Sequence, residues 1–318
     1  MTTLWRRKGL LVDGAPSGHA WWRSHAGMPT CLPLGDRLWR IWFGGRDAQR
    51  RSRPLCIDVD PGDGMRVLAL RDVPGLDLGP DGAFDSAGLW PSAVLEAEGR
   101  VMMWYTGMRL DRPWPYALAI GLAVSRDGGL SFEKQGEGPV LPSGGAGRFV
   151  TSPCVRRSAR GFEMWYSRCT DWRATGPEGA LDPYYDIQHR TSPDGIAWGA
   201  ADSPVLALDG TGWAGLTRPW LDTREPEPVL WFSARGPEQF RQPSDAAYRV
   251  YGAPWRGGVI APDDITPAVF VPESAPGDWD SWMRTCVCTV PHGNRTVMFY
   301  HGNDFGSTGF GYAVSEEV

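Results

Sequence analysis

Two aspartates stand at matching points of a repeated pattern. Asp85 lies six residues before Pro91, and Asp280 lies six residues before Cys286, and each opens an Asp-Ser dipeptide. The same count back from Pro29 reaches Arg23, with His25 close behind. If these copies are neighbours in space, the two carboxylates flank Arg23 and His25. Two carboxylates facing each other across a sugar-sized gap can break a glycosidic bond. One protonates the leaving oxygen, and the other activates water or attacks the sugar. A neighbouring arginine keeps one acid ionised, and burial raises the other. His25 suits a proton donor or a hydroxyl-binding group. The catalytic candidates are therefore Asp85, Asp280 and His25. The structural alternative is that both aspartates cap the turn entering a strand.

Substrate contacts are expected from the same rim. They are Arg23, Arg46, Asp47, Thr151, Arg218, Arg235, Tyr185, Tyr248, Trp282, His301 and Asn303. Arginine suits an anionic or polyhydroxyl ligand, with an ion pair inside the protein as the alternative. No cofactor is expected. No metal site is expected either, because no cluster of oxygen ligands stands out and Cys286-x-Cys288 has no matching second pair.

The elements that must position these residues are short strands. Between Trp90 and Leu141 the chain alternates apolar and polar, is rich in Val, Met, Trp, Tyr and Ile, and is cut by Gly and Asp turns. This predicts four antiparallel strands, at 92–96, 100–106, 117–125 and 131–135. The pattern recurs. Its second strand reads IWFGG, MWYTG, MWYSR, LWFSA and MFYHG in five copies. Recurrence at this spacing predicts an all-β, five-bladed β-propeller of four-stranded antiparallel blades, with 1–318 as a single domain. The blades fall near 20–80, 81–145, 146–210, 211–275 and 276–318. In blade 1 the first strand is expected at 29–34, and in blade 4 the fourth strand is expected near Val259. The last blade lacks a fourth strand. Trp5-Arg-Arg-Lys-Gly resembles Phe132-Glu-Lys-Gln-Gly, so residues 4–12 are expected to join that blade and close the ring. Strand alternation then puts the starts of first strands, the loops between second and third strands, and the starts of third strands at one mouth. That mouth carries the polar candidates.

Composition narrows the function classes. A net charge of −5 gives no electrostatic footprint for nucleic acid. No run approaches the ~18 apolar residues of a membrane span, and the N-terminus has no signal-peptide core. A cytoplasmic protein with a small-molecule partner, neither nucleic acid nor membrane, is expected. The six cysteines read as small buried hydrophobes. Ser125-Arg-Asp127-Gly-Gly129-Leu-Ser-Phe132 and the shorter Ser192-Pro-Asp194-Gly195-Ile-Ala-Trp198 have the form of a sialidase-type Asp box, read here as a turn whose Asp accepts backbone N–H bonds.

The motifs His25…Pro29 with IWFGGRD, FDSAGLWPS, IGLAVSRDGGLSFEKQGEGPVL, RPW with WFSARG, WDSWM and MFYHGNDFGSTGFGYA together resemble the five-bladed propellers of glycoside hydrolase families 43, 32, 62, 68 and 130. The likeness is nearest to a bacterial branch of that superfamily. It implies a carbohydrate-active enzyme that cleaves a glycosidic bond in a small glycoside or glycosylated metabolite. Families 43 and 32 use an Asp in blade 1, an Asp in blade 2 and a Glu in blade 3. Here blade 1 offers SHAGMPT and blade 3 offers GRFVTSP, so only Asp85 has a counterpart. Two alternatives stay open: non-hydrolytic acid/base chemistry such as cyclisation or elimination on a natural product, and a non-catalytic sugar-binding propeller.

Overall fold

Alternating side chains build antiparallel meanders along the whole chain. The computed structural model describes residues 3–15, 18–175, 179–201, 204–223 and 227–316. The first meander is Ser24–Gly35, Leu38–Arg46, Ser52–Asp60 and Arg66–Arg71, and the second is Gly88–Ala97, Arg100–Arg109, Ala117–Ser125 and Glu133–Lys134. The third (Val150–Ser158, Gly161–Ala174, Leu181–Ser192 and Pro204–Leu206) meets the fourth (Gly215–Asp222, Val229–Arg235, Arg249–Pro254 and Thr266–Pro267) through a parallel bridge from Tyr185 to Gly215. The last consists of Thr285–His292, Arg295–His301 and Phe310–Glu316. Leu4–Val12 pairs antiparallel with Phe310–Glu316, from Leu4 opposite Glu316 to Val12 opposite Phe310. The two ends of the chain thus share one sheet, and Val269–Val271 adds a parallel strand on the far side of Leu4–Val12.

Three element boundaries differ from the sequence reading. The fourth strand of the fourth meander is Thr266–Pro267, whereas Val259 is exposed in a loop. The run Arg256-Gly-Gly-Val259 turns the chain before it can pair. First strands also begin earlier than expected, at Ser24 and Gly88. They continue past a bulge.

That bulge recurs in all five meanders. Register shifts fall between Gly27 and Thr30, Pro91 and Ala93, Thr151 and Cys154, Thr217 and Trp220, and Thr285 and Cys288. In four of them a non-glycine residue takes positive φ: Met28 at 59°, Ser152 at 53°, Arg218 at 53° and Cys286 at 59°. A left-handed non-glycine costs about 1–3 kcal/mol, so the surroundings must hold it. For three of the four they hold it through a residue of a neighbouring meander's second strand. Ser152 N–H donates to Thr106 Oγ1 at 2.9 Å, Cys286 N–H to Ser233 Oγ at 3.1 Å, and Met28 N–H to His301 Nδ1 at 3.0 Å. Thr106, Ser233 and His301 occupy the same position of MWYTG, LWFSA and MFYHG.

Neighbouring meanders are stitched at the opposite end. Trp42 Nε1 donates to Gly129 O at 2.9 Å, and Trp104 Nε1 to Gly195 O at 2.9 Å. Both acceptors lie in the Ser-x-Asp turns. Asp127 accepts from Leu130 N and Ser131 N, and Asp194 accepts from Ile196 N and Ala197 N. These turns therefore consume their own aspartates. All six cysteines are free and buried.

Candidate functional site

The bulges aim their residues at a common cavity of about 590 Å³. Met28, Thr151, Ser152, Thr217, Thr285 and Cys286 reach it from the first strands, joined by Trp90. A bulge turns a side chain off the normal alternation, and here it does so toward one space. Thr106 and His301 reach the same cavity from the second strands. Loops add Arg50, Arg241 and Phe305, and Tyr116 and Tyr248 complete an aromatic side. No carboxylate is among the described lining residues.

His301 is 3% exposed. Its Nδ1 accepts the Met28 N–H, so in the neutral ring the proton sits on Nε2. Burial first, then His25, Arg218 and Arg46, push its pKa down to about 3, so the ring is neutral at physiological pH. Its Nε2 has no partner among the described residues. His25, with φ at 64°, lies 2.9 Å through Nδ1 from Ser24 Oγ. Burial and then Arg46 lower its pKa to about 4, against a smaller opposing pull from Asp304. Arg46 is half-buried, and burial followed by Arg50 lowers its pKa. Neither Arg46 nor Arg50 has an ion-pair partner among the described residues. Arg241, by contrast, is paired with Asp182. Behind the wall, Arg218 is 0% exposed. It donates to Pro29 O, Thr30 Oγ1 and Val287 O, yet its Nη1 has no partner among the described residues.

Asp85 and Asp280 lie outside this lining, each 1% exposed. Their surroundings match. Asp85 accepts from Tyr105 OH at 2.9 Å and pairs with Lys134 at 2.6 Å. Asp280 accepts from Tyr300 OH at 2.8 Å, Arg7 Nη2 at 2.6 Å, Arg284 Nε at 3.1 Å and Ser274 Oγ at 2.7 Å. Tyr105 and Tyr300 are equivalent in MWYTG and MFYHG. Arg7 and Lys134 are equivalent in the match of Trp5-Arg-Arg with Phe132-Glu-Lys. Burial alone would raise the Asp280 pKa, but Ser274, Arg284 and Tyr300 outweigh it and hold the carboxyl below its usual range.

The other expected contacts divide. His25, Arg46, Thr151, Tyr248 and His301 come together in the cavity wall. Arg23 is exposed outside the lining. Asp47 is buried and holds its own loop through Arg51, Arg53 and the Gln49 N–H. Arg235 bonds Tyr185 OH, Pro183 O and Gly236 O and lies 3.8 Å from the Phe240 ring centroid, which accounts for Tyr185 as well. Asn303 accepts the Trp282 and Met283 N–H groups and donates to Asp278 O and Ser281 Oγ. Trp282 is outside the lining. Arg50, Arg241, Thr106, Ser152, Thr217, Thr285, Tyr116 and Phe305 were missed. The hydroxyls carried a readable signal, because Thr106 sits at the repeat position of His301 and Ser152 and Thr217 flank strand prolines. Arg50 and Arg241 lie in loops without a repeat. Among the described residues no group of His, Cys, Asp and Glu is placed to hold a metal ion. Among the described residues no helix is long and apolar enough to cross a membrane.

The architecture resembles that of solved glycoside hydrolases. A structure described as a glycoside hydrolase superposes with a TM-score of 0.68 at 17% identity, covering 100% of this chain and 93% of that one. A glycosyl hydrolase from Bacteroides ovatus gives 0.63 at 14%, covering 99% and 94%. The Bombyx mori GH32 β-fructofuranosidase BmSUC1 gives 0.61 at 13%, covering 95% of this chain and 61% of that one. At such identities the likeness is one of fold. No protein-family model matches the chain. In sequence, the chain belongs to the family of the "Uncharacterized protein Rv1502" of Mycobacterium tuberculosis (strain ATCC 25618 / H37Rv), which is 31% identical over 98% of this chain and 99% of the relative. Protein MT1551 of strain CDC 1551 / Oshkosh is likewise 31% identical.

Proposed function

We propose that the protein is one five-bladed propeller, closed by strand 4–12, whose cavity recognises a sugar-containing small molecule. The supporting observation is the lining itself: Trp90, Tyr116, Tyr248 and Phe305 stand beside the hydroxyls of Thr106, Thr151, Ser152, Thr217 and Thr285. Aromatic rings suit the C–H face of a sugar, and hydroxyls suit its oxygens. His25, Arg46, Thr151, Tyr248 and His301 are the substrate contacts in this reading. Asp85 and Asp280 hold strands together. A general acid must carry a proton at working pH, and Asp280 is held ionised. His25, which lies in the wall and is held neutral by burial and Arg46, is the group that can accept a proton from the bound molecule.

The test is thermal stability of the full chain against monosaccharides, aryl glycosides and nucleotide sugars, followed by turnover assays on every hit. At least one sugar compound is expected to raise Tm. His25→Gln is expected to keep that binding and to lose any turnover, and Asp85→Asn is expected to bind as the parent does. If no sugar compound stabilises the protein, the reading is wrong. If Asp85→Asn or Asp280→Asn stays folded and binding but loses turnover, the two-carboxylate mechanism is restored.

A further inference from the structure

Comparing the repeats isolates what is unusual about His301. Its position serves to accept the bulge N–H of the next meander. Thr106 and Ser233 do this with a hydroxyl. A histidine is not needed for the task, and it brings a second nitrogen. That nitrogen, the buried Nε2, carries a proton and has no acceptor among the described residues. A buried donor without a partner is destabilising, so a side chain that leaves one in the cavity wall is expected to meet an acceptor from outside.

The charges around the cavity tell which acceptor. Arg46 and Arg50 line it without ion pairs among the described residues. Behind them Arg218 is fully buried, with Nη1 unpartnered. The ionisable groups acting on Arg218 are the thiols of Cys286, Cys288 and Cys154; burial raises the pKa of Cys286 and Cys288 to about 11 each, so those two are uncharged. A buried guanidinium without a counter-charge is destabilising, and a bound anion would offset that. Opposing charges are few. Asp182 neutralises Arg241, and Asp304, exposed at the rim, is the carboxylate whose field reaches His25 and Arg46.

We propose that Arg46, Arg50 and the His301 Nε2–H form the seat of an oxyanion substituent on the sugar, a carboxylate or a phosphate or sulfate ester. The arginines supply the charge-assisted donors, and His301 supplies a neutral, oriented one. This rests on the cavity being the sugar site, so the test separates the two claims.

Isothermal titration calorimetry at fixed ionic strength would use the full chain and three kinds of probe. Sodium sulfate against potassium chloride reads the anion seat alone. Uronic acids against their parent hexoses read a carboxylate on a sugar, and hexose phosphates against the same hexoses read a phosphate ester. The variants are Arg46→Gln, Arg50→Gln and His301→Ser. The last keeps a hydroxyl to accept the Met28 N–H, and Arg50 is an exposed loop residue, so its variant folds even if another does not. Sulfate is expected to bind the parent and to weaken at least tenfold in either arginine variant. One class of acidic sugar is expected to bind at least tenfold tighter than its neutral partner. His301→Ser is expected to weaken the acidic sugar at least threefold more than it weakens the neutral hexose. If sulfate binds but no sugar does, the anion seat stands and the sugar reading falls. Acidic and neutral sugars binding alike, equal sulfate affinity in parent and arginine variants, or no sulfate binding, each overturns the proposal.

Discussion

The Asp280 cluster and the His301 wall are built on adjacent residues of one strand. Tyr300 turns to Asp280, and His301 turns to the cavity. In the first region the described contacts meet every charge. Arg7, Arg284, Tyr300 and Ser274 converge on one buried carboxylate, and Asp85 has the simpler version with Tyr105 and Lys134. In the second region the donors are in excess, with His301 Nε2 and Arg218 Nη1 left over. Paired charges fix strands in place, because breaking one leaves its partner stranded. Unpaired ones weaken the fold and make sense through a ligand.

Several changes would break or sharpen that contrast. The largest effect is expected at Asp280. Asp280→Ala strands Arg7 and Arg284 and unties the strand that holds the chain start, costing about 3–5 kcal/mol in urea unfolding. A stable Asp280→Ala that no longer binds ligand would move Asp280 into the functional site. Next come the matched tyrosines. Tyr300→Phe and Tyr105→Phe each remove a donor to a carboxylate and should cost about 1.5–3 kcal/mol, with similar values for the two because the positions are equivalent. Unequal losses would show that the two clusters are not the same device. Arg218→Met should cost less than Asp280→Ala, since removing an unpaired buried cation offsets its lost hydrogen bonds, while sulfate binding falls.

The smallest effect is a slope. His25 and His301 have folded-state pKa values of about 4 and about 3, below the unfolded value near 6.5. Between those limits the unfolded chain binds more protons, so stability falls as pH drops from about 6.5 toward 4 and then 3. His25→Gln and His301→Ser should each flatten Tm against pH in that window. An unchanged slope in both would show that neither ring is held neutral.

Much of the fold was legible. Five copies of the second strand fixed the meanders, and the match of Trp5-Arg-Arg with Phe132-Glu-Lys placed strand 4–12 beside the last of them. The same match contained the salt bridges, because it set Arg7 opposite Lys134. Counting back six residues found two acids at matching positions and offered them as an acid/base pair or as caps of the turn; it did not show the cation that each one meets. The bulge was not legible. Met28, Ser152, Arg218 and Cys286 adopt a conformation that their residue types do not announce, with prolines at 29, 153 and 219 as the trace. Without the bulge, the inward set could not be assigned by alternation, and Ser152 and Thr217 were passed over. Arg50 and Arg241 sit on loops, where neither period nor repeat speaks. His301 could have been singled out by comparing MFYHG with MWYTG and LWFSA.

The most direct measurement is a crystal of the protein soaked in sodium selenate, with the selenium located by anomalous diffraction. The expected result is one selenate in the cavity, its oxygens at hydrogen-bond distance, about 2.7–3.2 Å, from Arg46, Arg50 and His301 Nε2. A cavity free of selenate, with the anion only at surface arginines, would contradict the assignment of these unpaired donors to a ligand.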